Sequence, residues 1–355
     1  VPSESPSLSP HSLSAISSIE SLLSSDEGGR GTSYLYRAGD LLSASLSLAR
    51  LPPRSRVLIL TGFPCCVSHD PPTETDGPPG AACLARCANA LGYNVTVATD
   101  RCNVGGVAEA VAGLSGVEVK SFPPYVGNNE GNLISLDPLY ECRDDMVVLA
   151  QNVDLIIAIE RAGPGRDGVC RTMRGVDMTS AGIIAPLHDV VVAARQRPNG
   201  PRFIAIGDGG NELGMGVVYQ KVCQHVKFGE LIGAAPEVQG VGRNSLSADD
   251  LVAASVSNWG GYGLAAAAAL VRYSDESGRR NEAGGLRKDE LEKLMQRCLP
   301  SIDEEADIIT NIVKVAGCRD GVSGKQEATV DGLPLQTSLD RLADVMRLAM
   351  VATEN

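Results

Sequence analysis

Apolar runs and stretches of helical periodicity alternate along most of the chain. The strand-like runs lie at residues 56–62, 94–100, 117–122, 153–160, 202–207 and 251–257. Apolar runs of this length are typical of strands that are buried on both faces of a sheet. Apolar residues recur at helical spacing in residues 13–25, 38–51 and 80–92. The alternation predicts an α/β fold of Rossmann-like layered architecture, with a mainly parallel sheet and helices on both faces.

The last quarter of the chain adds three predicted elements. Apolar spacing predicts helices at 286–299 and 338–352. The segment "DIITNIVKVAG" at 307–317 is rich in β-branched residues, which favours a strand. A polar, Gly-containing loop at 318–335 joins it to the final helix.

The first 18 residues are rich in Ser and Pro and contain neither the apolar core of a signal peptide nor an Arg-rich transit sequence. Such a composition buries little surface and is typical of a linker. We expect residues 1–18 to link this chain to a preceding domain of the same polypeptide. Residues 19–355 are then expected to form one α/β domain.

Charge and hydropathy exclude several classes of partner. The formal net charge is −12 and the basic residues are scattered, whereas nucleic-acid binders carry clustered positive charge. The longest strongly apolar run, residues 263–271, is much shorter than the roughly 20 residues of a membrane span. We therefore expect neither nucleic acid nor a membrane as a partner, but a small molecule or a cation.

Acidic side chains follow several of the predicted strands, beside glycines. Ligands of open parallel sheets bind beyond the carboxyl ends of the strands, and carboxylates that converge there repel one another unless a cation neutralises them. We therefore predict an acidic cleft at this edge that holds Mg²⁺, Mn²⁺ or Ca²⁺ through oxygen ligands. The candidate ligands are Glu74, Asp76, Asp208, Asn211, Glu212 and Asp320. The alternative is that each acid caps the N-terminus of the following helix.

The loop "IGDGGNELGMG" at 206–216 holds five glycines, a composition that also suits a phosphate-binding loop. A dinucleotide fingerprint starting at Gly207 would need glycine at position 212, where Glu212 stands, and no P-loop lysine follows. The sequence therefore predicts no nucleotide cofactor.

Arginines follow the fourth predicted strand, at 161, 166, 171 and 174. A guanidinium group binds a carboxylate through two parallel hydrogen bonds, so one or two of these residues could bind an acidic substrate. Pairing with the neighbouring acids is the alternative.

Six motifs of the chain resemble those of a known family. They are "TGFP", "ETDGPPGA", "IERAG", "IGDGGNELGMG", "SNWGGYGLAAA" and "VDGLPL". The chain resembles the C-terminal domain of the D-glutamate cyclase family from residue 35 to residue 350. The resemblance implies a lyase that converts D-glutamate to 5-oxo-D-proline and water in the mitochondrial matrix, with an N-terminal domain of the same polypeptide as its partner.

The implied reaction assigns roles to the candidate residues. A divalent cation held by Glu74, Asp76, Asp208 and Glu212 would polarise the γ-carboxylate of D-glutamate. Either Glu160 or Asp167 would remove the proton of the amine. Either Arg161 or Arg174 would hold the α-carboxylate. Two alternatives remain: a metal-dependent hydrolase such as a phosphatase, and a non-catalytic domain that binds a cation or amino acid and supports a preceding catalytic domain.

Overall fold

The computed structural model describes residues 8–125, 140–238, 241–242, 244–279 and 287–353. The strands are β1 Arg56–Gly62, β2 Asn94–Asp100, β3 Val117–Phe122, β4 Leu155–Arg161, β5 Arg202–Gly207, β6 Asp250–Ala253, β7 Thr329–Val330 and β8 Leu333–Pro334. The helices are α1 Pro10–Leu23, α2 Thr32–Leu35, α3 Asp40–Ala49, α4 Pro78–Ala90, α5 Val104–Ala110, α6 Arg143–Gln151, α7 His188–Arg195, α8 Tyr219–His225, α9 Gly229–Ile232, α10 Ser257–Arg279, α11 Lys288–Cys298, α12 Ile302–Lys314 and α13 Leu335–Met350.

The six longer strands form one parallel sheet in the order β3-β2-β1-β4-β5-β6. The order reverses between β1 and β4, and a crevice opens beyond the carboxyl ends of the strands at such a point. The predicted Rossmann-like α/β fold is therefore confirmed.

Both faces of the sheet are buried, because successive side chains of each central strand point to opposite sides. In β1, Val57 and Ile59 join the hydrophobic cluster that includes α4 and α10. Leu58 and Leu60, which alternate with them, join the cluster on the other face, together with α7. Helices therefore cover both faces.

Helix α10 and helix α4 approach each other closely through glycine. A Cβ atom on Gly261 would lie 2.8 Å from the carbonyl oxygen of Gly80, and one on Gly80 would lie 2.7 Å from the Cα of Asn258. Only glycine allows backbones to meet at this distance. The contact holds the N-terminus of α10 against the loop that follows β1.

The strand prediction for residues 307–317 is wrong, because most of this segment belongs to α12. Ser301 and Glu304 form a capping box at the start of this helix. Ile309, Ile312 and Val313 are buried at helical spacing. The β-branched composition is therefore overridden by the cap and by the period of burial.

Two predicted boundaries also differ from the structure. The strand predicted at 251–257 ends at Ala253, and Ser257 already begins α10. Helix α1 begins at Pro10, with Ser9 as its N-cap, and buries Ala15 and Ile16. Residues 10–18, predicted as linker, are therefore packed against the domain, whereas residues 1–7 lie outside the described residues.

Among the helices of the described residues, none combines the length and the apolarity that crossing a bilayer requires.

Candidate active site

A cavity of about 170 Å³ lies among the loops at the carboxyl edge of the sheet. Its charged lining residues are Arg30, Glu74, Glu160, Arg174, Asp208 and Asp331. Val176 and Val322 stand at its rim with side chains about half exposed, 45% and 49% respectively. The cavity is therefore open to solvent, and four of the six charged residues in its lining are carboxylates.

Asp76 lies behind the cavity, in the loop between β1 and α4. Its carboxylate accepts hydrogen bonds from the backbone N–H groups of Ser257 and Asn258, both at 2.8 Å. In return, the side-chain oxygen of Asn258 accepts from the N–H groups of Gly77 and Gly80. The capping alternative thus applies to Asp76, but the helix it caps is α10 rather than α4, which follows it in the chain.

Glu160 points toward the cavity because β4 bulges at that residue. The pairing of β1 and β4 shifts so that Thr61 faces Ile159 while Gly62 faces Arg161, and Glu160 is the extra residue. Its φ of 41° is a left-handed conformation that costs free energy in a residue other than glycine. The carboxylate accepts a 2.6 Å hydrogen bond from the Ser257 hydroxyl.

The glycine-rich loop after β5 is organised by Glu212. This carboxylate turns back and accepts hydrogen bonds from the N–H groups of Asp208, Gly209 and Gly210, at 2.6 to 2.9 Å. Three charge-assisted hydrogen bonds occupy both of its oxygens. Glu212 therefore shapes the loop that carries Asp208, and the backbone N–H groups that could have cradled a phosphate are already bound.

Two residues of the site, Arg30 and Asp331, were missed by the sequence reasoning. One guanidinium nitrogen of Arg30, Nη2, lies 2.5 Å from Asp208 and 2.7 Å from Asp331. Asp26 fixes the loop around Arg30 by accepting its N–H and that of Gly31. Asp331 belongs to the quoted motif "VDGLPL" and so carried a signal, whereas nothing in the sequence around Arg30 distinguished it.

Asp76, Glu160 and Asp208 each place one carboxylate oxygen within 4.8 Å of the oxygens of the other two. Oxygens bound to one Mg²⁺ or Ca²⁺ ion at 2.0 to 2.6 Å are separated by at most about 4 to 5 Å. The three-residue cluster therefore fits a hard divalent cation.

Burial raises the pKa of each carboxyl group in this cluster well above its ordinary value. For Asp76, the next largest cause is the charge of Asp331. For Glu160, it is the charge of Glu212. For Asp208, desolvation outweighs Arg30, whose positive charge lowers the pKa. Concentrated carboxylates with raised pKa values are a common property of functional sites.

Glu74 lines the cavity next to the cluster, and its buried Oε1 has no hydrogen-bond partner among the described residues. Its Oε2 accepts a 3.2 Å hydrogen bond from the thiol of Cys65. Burial and the charges of Asp331 and Asp76 raise the pKa of Glu74 well above its ordinary value.

Of the other residues proposed from the sequence, Arg174 and Asn211 also line the cavity. Arg174 is exposed and donates a hydrogen bond to the carbonyl oxygen of Val322. Asn211 donates from its side-chain nitrogen to the carbonyl oxygen of Arg171, at 2.8 Å. Both residues are therefore positioned to contact a ligand in the cavity.

The remaining three lie outside the lining of this cavity. Arg161 is buried and paired with Asp100. Asp167 is half exposed and paired with Arg171 at 2.6 Å. Asp320 accepts hydrogen bonds from the N–H groups of three residues in the C-terminal loop, which are Val322, Ser323 and Gly332. These three side chains hold loops in place, so we leave them out of the chemistry proposed below.

Comparison with known proteins connects this chain to a family. A family model described as "D-glutamate cyclase-like, C-terminal" matches residues 19–346. The chain is 34% identical over 337 residues to a human protein named "D-glutamate cyclase, mitochondrial", which is 93% of this chain and 52% of the human protein. The chain thus spans about half the length of the curated relative that it matches.

Proposed function

Because this chain belongs to the D-glutamate cyclase-like C-terminal family, we propose that its acidic cavity closes D-glutamate to 5-oxo-D-proline with release of water, assisted by a divalent cation. The observation that supports this proposal is the gathering of Asp76 and Asp208, from two separate loops, with Glu160 of the bulge in β4, at the edge where the strand order reverses. The residues fit Mg²⁺, Mn²⁺ or Ca²⁺ because all their donors are oxygens. A bound cation would supply Lewis-acid polarisation of the γ-carboxylate.

Substrate binding is assigned to Arg174. D-glutamate carries two carboxylates and meets a strongly acidic lining, so a guanidinium group at the mouth is needed to attract it. Arg174 is exposed on the lining, whereas Arg161 is buried against Asp100. We therefore place the α-carboxylate of the substrate on Arg174.

The proton acceptor is assigned to Glu74. Glu160 belongs to the three-residue cluster, and Asp167 forms an ion pair with Arg171 outside the cavity lining. Glu74 lines the cavity with an unpaired oxygen and a raised pKa. A raised pKa makes a carboxylate a better acceptor for the proton that the substrate amine must lose before it attacks the γ-carbon.

Ring closure also requires a folded substrate. The amine and the γ-carboxyl carbon of glutamate are joined by a flexible chain, which loses conformational freedom when the five-membered ring forms. A cavity that fixes both carboxylates holds these atoms near each other, and such positioning can lower the barrier by several kcal/mol.

The test is an assay of this chain with D-glutamate and each of the three cations, together with L-glutamate as the stereochemical control. Asp208→Asn should lower the formation of 5-oxoproline by about 100-fold or more, because a charge is lost from the cluster. It should also weaken cation binding measured by calorimetry. Asp167→Asn, a matched change in an exposed ion pair, should leave both near wild type. Equal activity of the two variants would exclude the cluster from the chemistry.

A second candidate function, a non-catalytic ligand-binding domain, is favoured by the pairing of Arg30 with Asp208 and Asp331. An internal cation of this kind lowers the repulsion within the cluster without any metal. Since the chain covers 52% of its human relative, we propose a further, N-terminal domain of the same polypeptide as its partner. Cation binding without turnover, followed by turnover in the longer polypeptide, would favour this second function.

The cellular site is also a proposal. The human relative is named as mitochondrial, and we place this chain in the mitochondrial matrix by analogy. Fractionation of mitochondria, with a matrix enzyme and an outer-membrane protein as markers, tests this assignment.

A further inference from the structure

Two adjacent cysteines lie at the wall of the acidic cavity, in the loop that follows β1. The Sγ atoms of Cys65 and Cys66 are 3.8 Å apart. Cys65 lines the cavity and is partly exposed, whereas Cys66 is buried behind it with 7% exposure. Both are free thiols. The proposed cyclisation uses neither of them.

We propose that Cys65 and Cys66 form an oxidation site that a hydroperoxide converts to a disulfide between neighbouring residues. The cavity is open to solvent, so a small peroxide reaches Cys65 first. The oxidation itself does not depend on the proposed function, whereas its effect on turnover rests on it.

The chemistry is balanced with peroxide as the oxidant. The sulfur of Cys65 attacks one peroxide oxygen, the O–O bond breaks, and a sulfenic acid and one water form. Glu74, which accepts the hydrogen bond of the Cys65 thiol, is placed to take its proton and to pass it to the departing hydroxide, which leaves as that water. The sulfur of Cys66 then attacks the sulfenyl sulfur, the S–S bond forms and a second water leaves. Two thiols are oxidised and one peroxide is reduced to two waters.

The geometry makes this bond a reversible switch. The Cα atoms of adjacent residues are about 3.8 Å apart across a trans peptide, shorter than the usual 4.4–6.8 Å of disulfides. A strained disulfide is reduced more easily than a structural one. We therefore expect a bond that forms under peroxide and is lost in a mild thiol buffer.

Oxidation also changes the cavity. The sulfurs must approach by roughly 1.8 Å to reach bonding distance, and Cys65 loses the hydrogen that it donates to Glu74 Oε2. Because Glu74 Oε1 has no partner in the part of the chain that the structure describes, loss of the Cys65 hydrogen leaves the carboxylate without a hydrogen-bond donor there. Gly321 packs closely against Oε2 of Glu74. A Cβ atom at position 321 would lie 2.1 Å from this oxygen. Glu74 must therefore reorganise when the disulfide forms.

The first experiment treats the reduced chain with hydrogen peroxide and follows free thiols, intact mass and peptide maps. We expect two thiols to be lost with two hydrogens of mass, a link mapped to Cys65–Cys66, and full recovery with dithiothreitol. Cys223→Ser, a partly exposed cysteine outside the cavity lining, is the matched control and should behave as wild type. Retention of all thiols, or a link mapped to other cysteines, would overturn the proposal.

Single variants test the order of attack. In Cys66→Ser the sulfenic acid on Cys65 has no resolving thiol, so dimedone should label Cys65 and excess peroxide should carry it to the sulfinic acid. In Cys65→Ser the buried Cys66 should remain unlabelled. Labelling of Cys66 in Cys65→Ser, without labelling of Cys65 in Cys66→Ser, would show that the peroxide attacks Cys66 first and would overturn the proposed order. These readouts are measured by mass spectrometry and do not depend on whether the chain forms 5-oxoproline. Where it does, peroxide should reversibly lower wild-type activity by about tenfold or more.

Discussion

At the scale of single residues, the acids of this chain divide into two kinds by what their oxygens contact. Glu212 and Asp320 turn toward backbone N–H groups of their own loops. Glu74 keeps at the cavity an oxygen that has no partner among the described residues, and Glu160 places an oxygen beside those of Asp76 and Asp208. The sequence showed each of these acids within a few residues of a glycine. It could not separate them, because the direction of a side chain depends on backbone geometry that neighbouring letters do not encode.

Arg161 illustrates the same distinction for the basic residues. Its guanidinium is buried and contacts Asp100, and it also donates to the carbonyl oxygen of Ala185 at 2.8 Å. Asp100 in turn accepts the N–H of Ala185 at 2.6 Å. A buried pair with such additional hydrogen bonds fixes the loop after β4 to the end of β2, which is a structural role.

We predict that Asp100→Asn destabilises the fold by about 3 to 5 kcal/mol, because it leaves the positive charge of Arg161 buried without a counter-ion. Urea unfolding followed by circular dichroism measures the change. Asp167→Asn breaks an exposed pair with Arg171 and should cost at most about 1 kcal/mol. Equal losses of stability in the two variants would show that burial does not increase the contribution of the Arg161–Asp100 pair to the free energy of unfolding.

At the scale of elements, α10 is the segment on which the site depends. Its N-terminus contacts Asp76 and Glu160, and its glycines permit the close approach to α4. Farther along, Tyr262 of α10 donates a 2.5 Å hydrogen bond to Glu305 of α12. This buried contact joins α10 to α12, most of which had been predicted as a strand.

The Glu305 contact predicts a pH dependence of stability. Burial raises the pKa of Glu305 from 4.5 to about 7 in the folded protein. Between these values the folded state binds more protons than the unfolded state, so the free energy of unfolding falls as the pH rises. The contribution is fully present below pH 4.5 and is lost above about 7. Its size is on the order of 3 kcal/mol.

Glu305→Gln, which keeps an oxygen that can accept from Tyr262, should remove this fall. Urea unfolding of both proteins at half-unit steps between pH 5 and pH 8 measures it. Other buried carboxyls titrate alike in the two proteins, so the difference between the curves isolates Glu305. Curves that stay parallel over this range would contradict the assignment.

At the scale of the whole molecule, a net charge of −12 combines with a cluster of buried carboxylates at one edge of the sheet. Each raised pKa in the cluster reflects a charge held away from water and near others of the same sign. A ligand that binds only the folded state stabilises it by mass action. A cation in the cluster should therefore increase the stability of the entire domain.

We predict that Mg²⁺, Mn²⁺ or Ca²⁺ at 100 times its dissociation constant stabilises the chain by about 2.7 kcal/mol. Thermal unfolding with and without the cation measures the shift, with NaCl at equal ionic strength as the control for screening. Glu160→Gln keeps an acceptor for the Ser257 hydroxyl but removes a charge from the cluster. The cation should therefore stabilise this variant much less than the wild type. An equal shift in this variant would place the cation elsewhere.

The sequence by itself determined the elements and the layers. Runs such as 57–60 and 203–206 are apolar at every position because both faces of a parallel sheet are buried, so a local pattern carries the information. The motifs also carried the family, which the match over residues 19–346 confirms. The segment 307–317 shows the limit of such patterns, since composition favoured a strand and the capping box at Ser301 began a helix.

Only the tertiary structure decided which side chains meet. Asp76 and Asp208 follow β1 and β5, and Glu160 lies at the end of β4, so their distances depend on the order of these three strands in the sheet. Arg30 and Asp331 reach the same place from opposite ends of the chain. Contacts between residues so far apart arise when strands pair and helices pack, and no local period of the sequence specifies them.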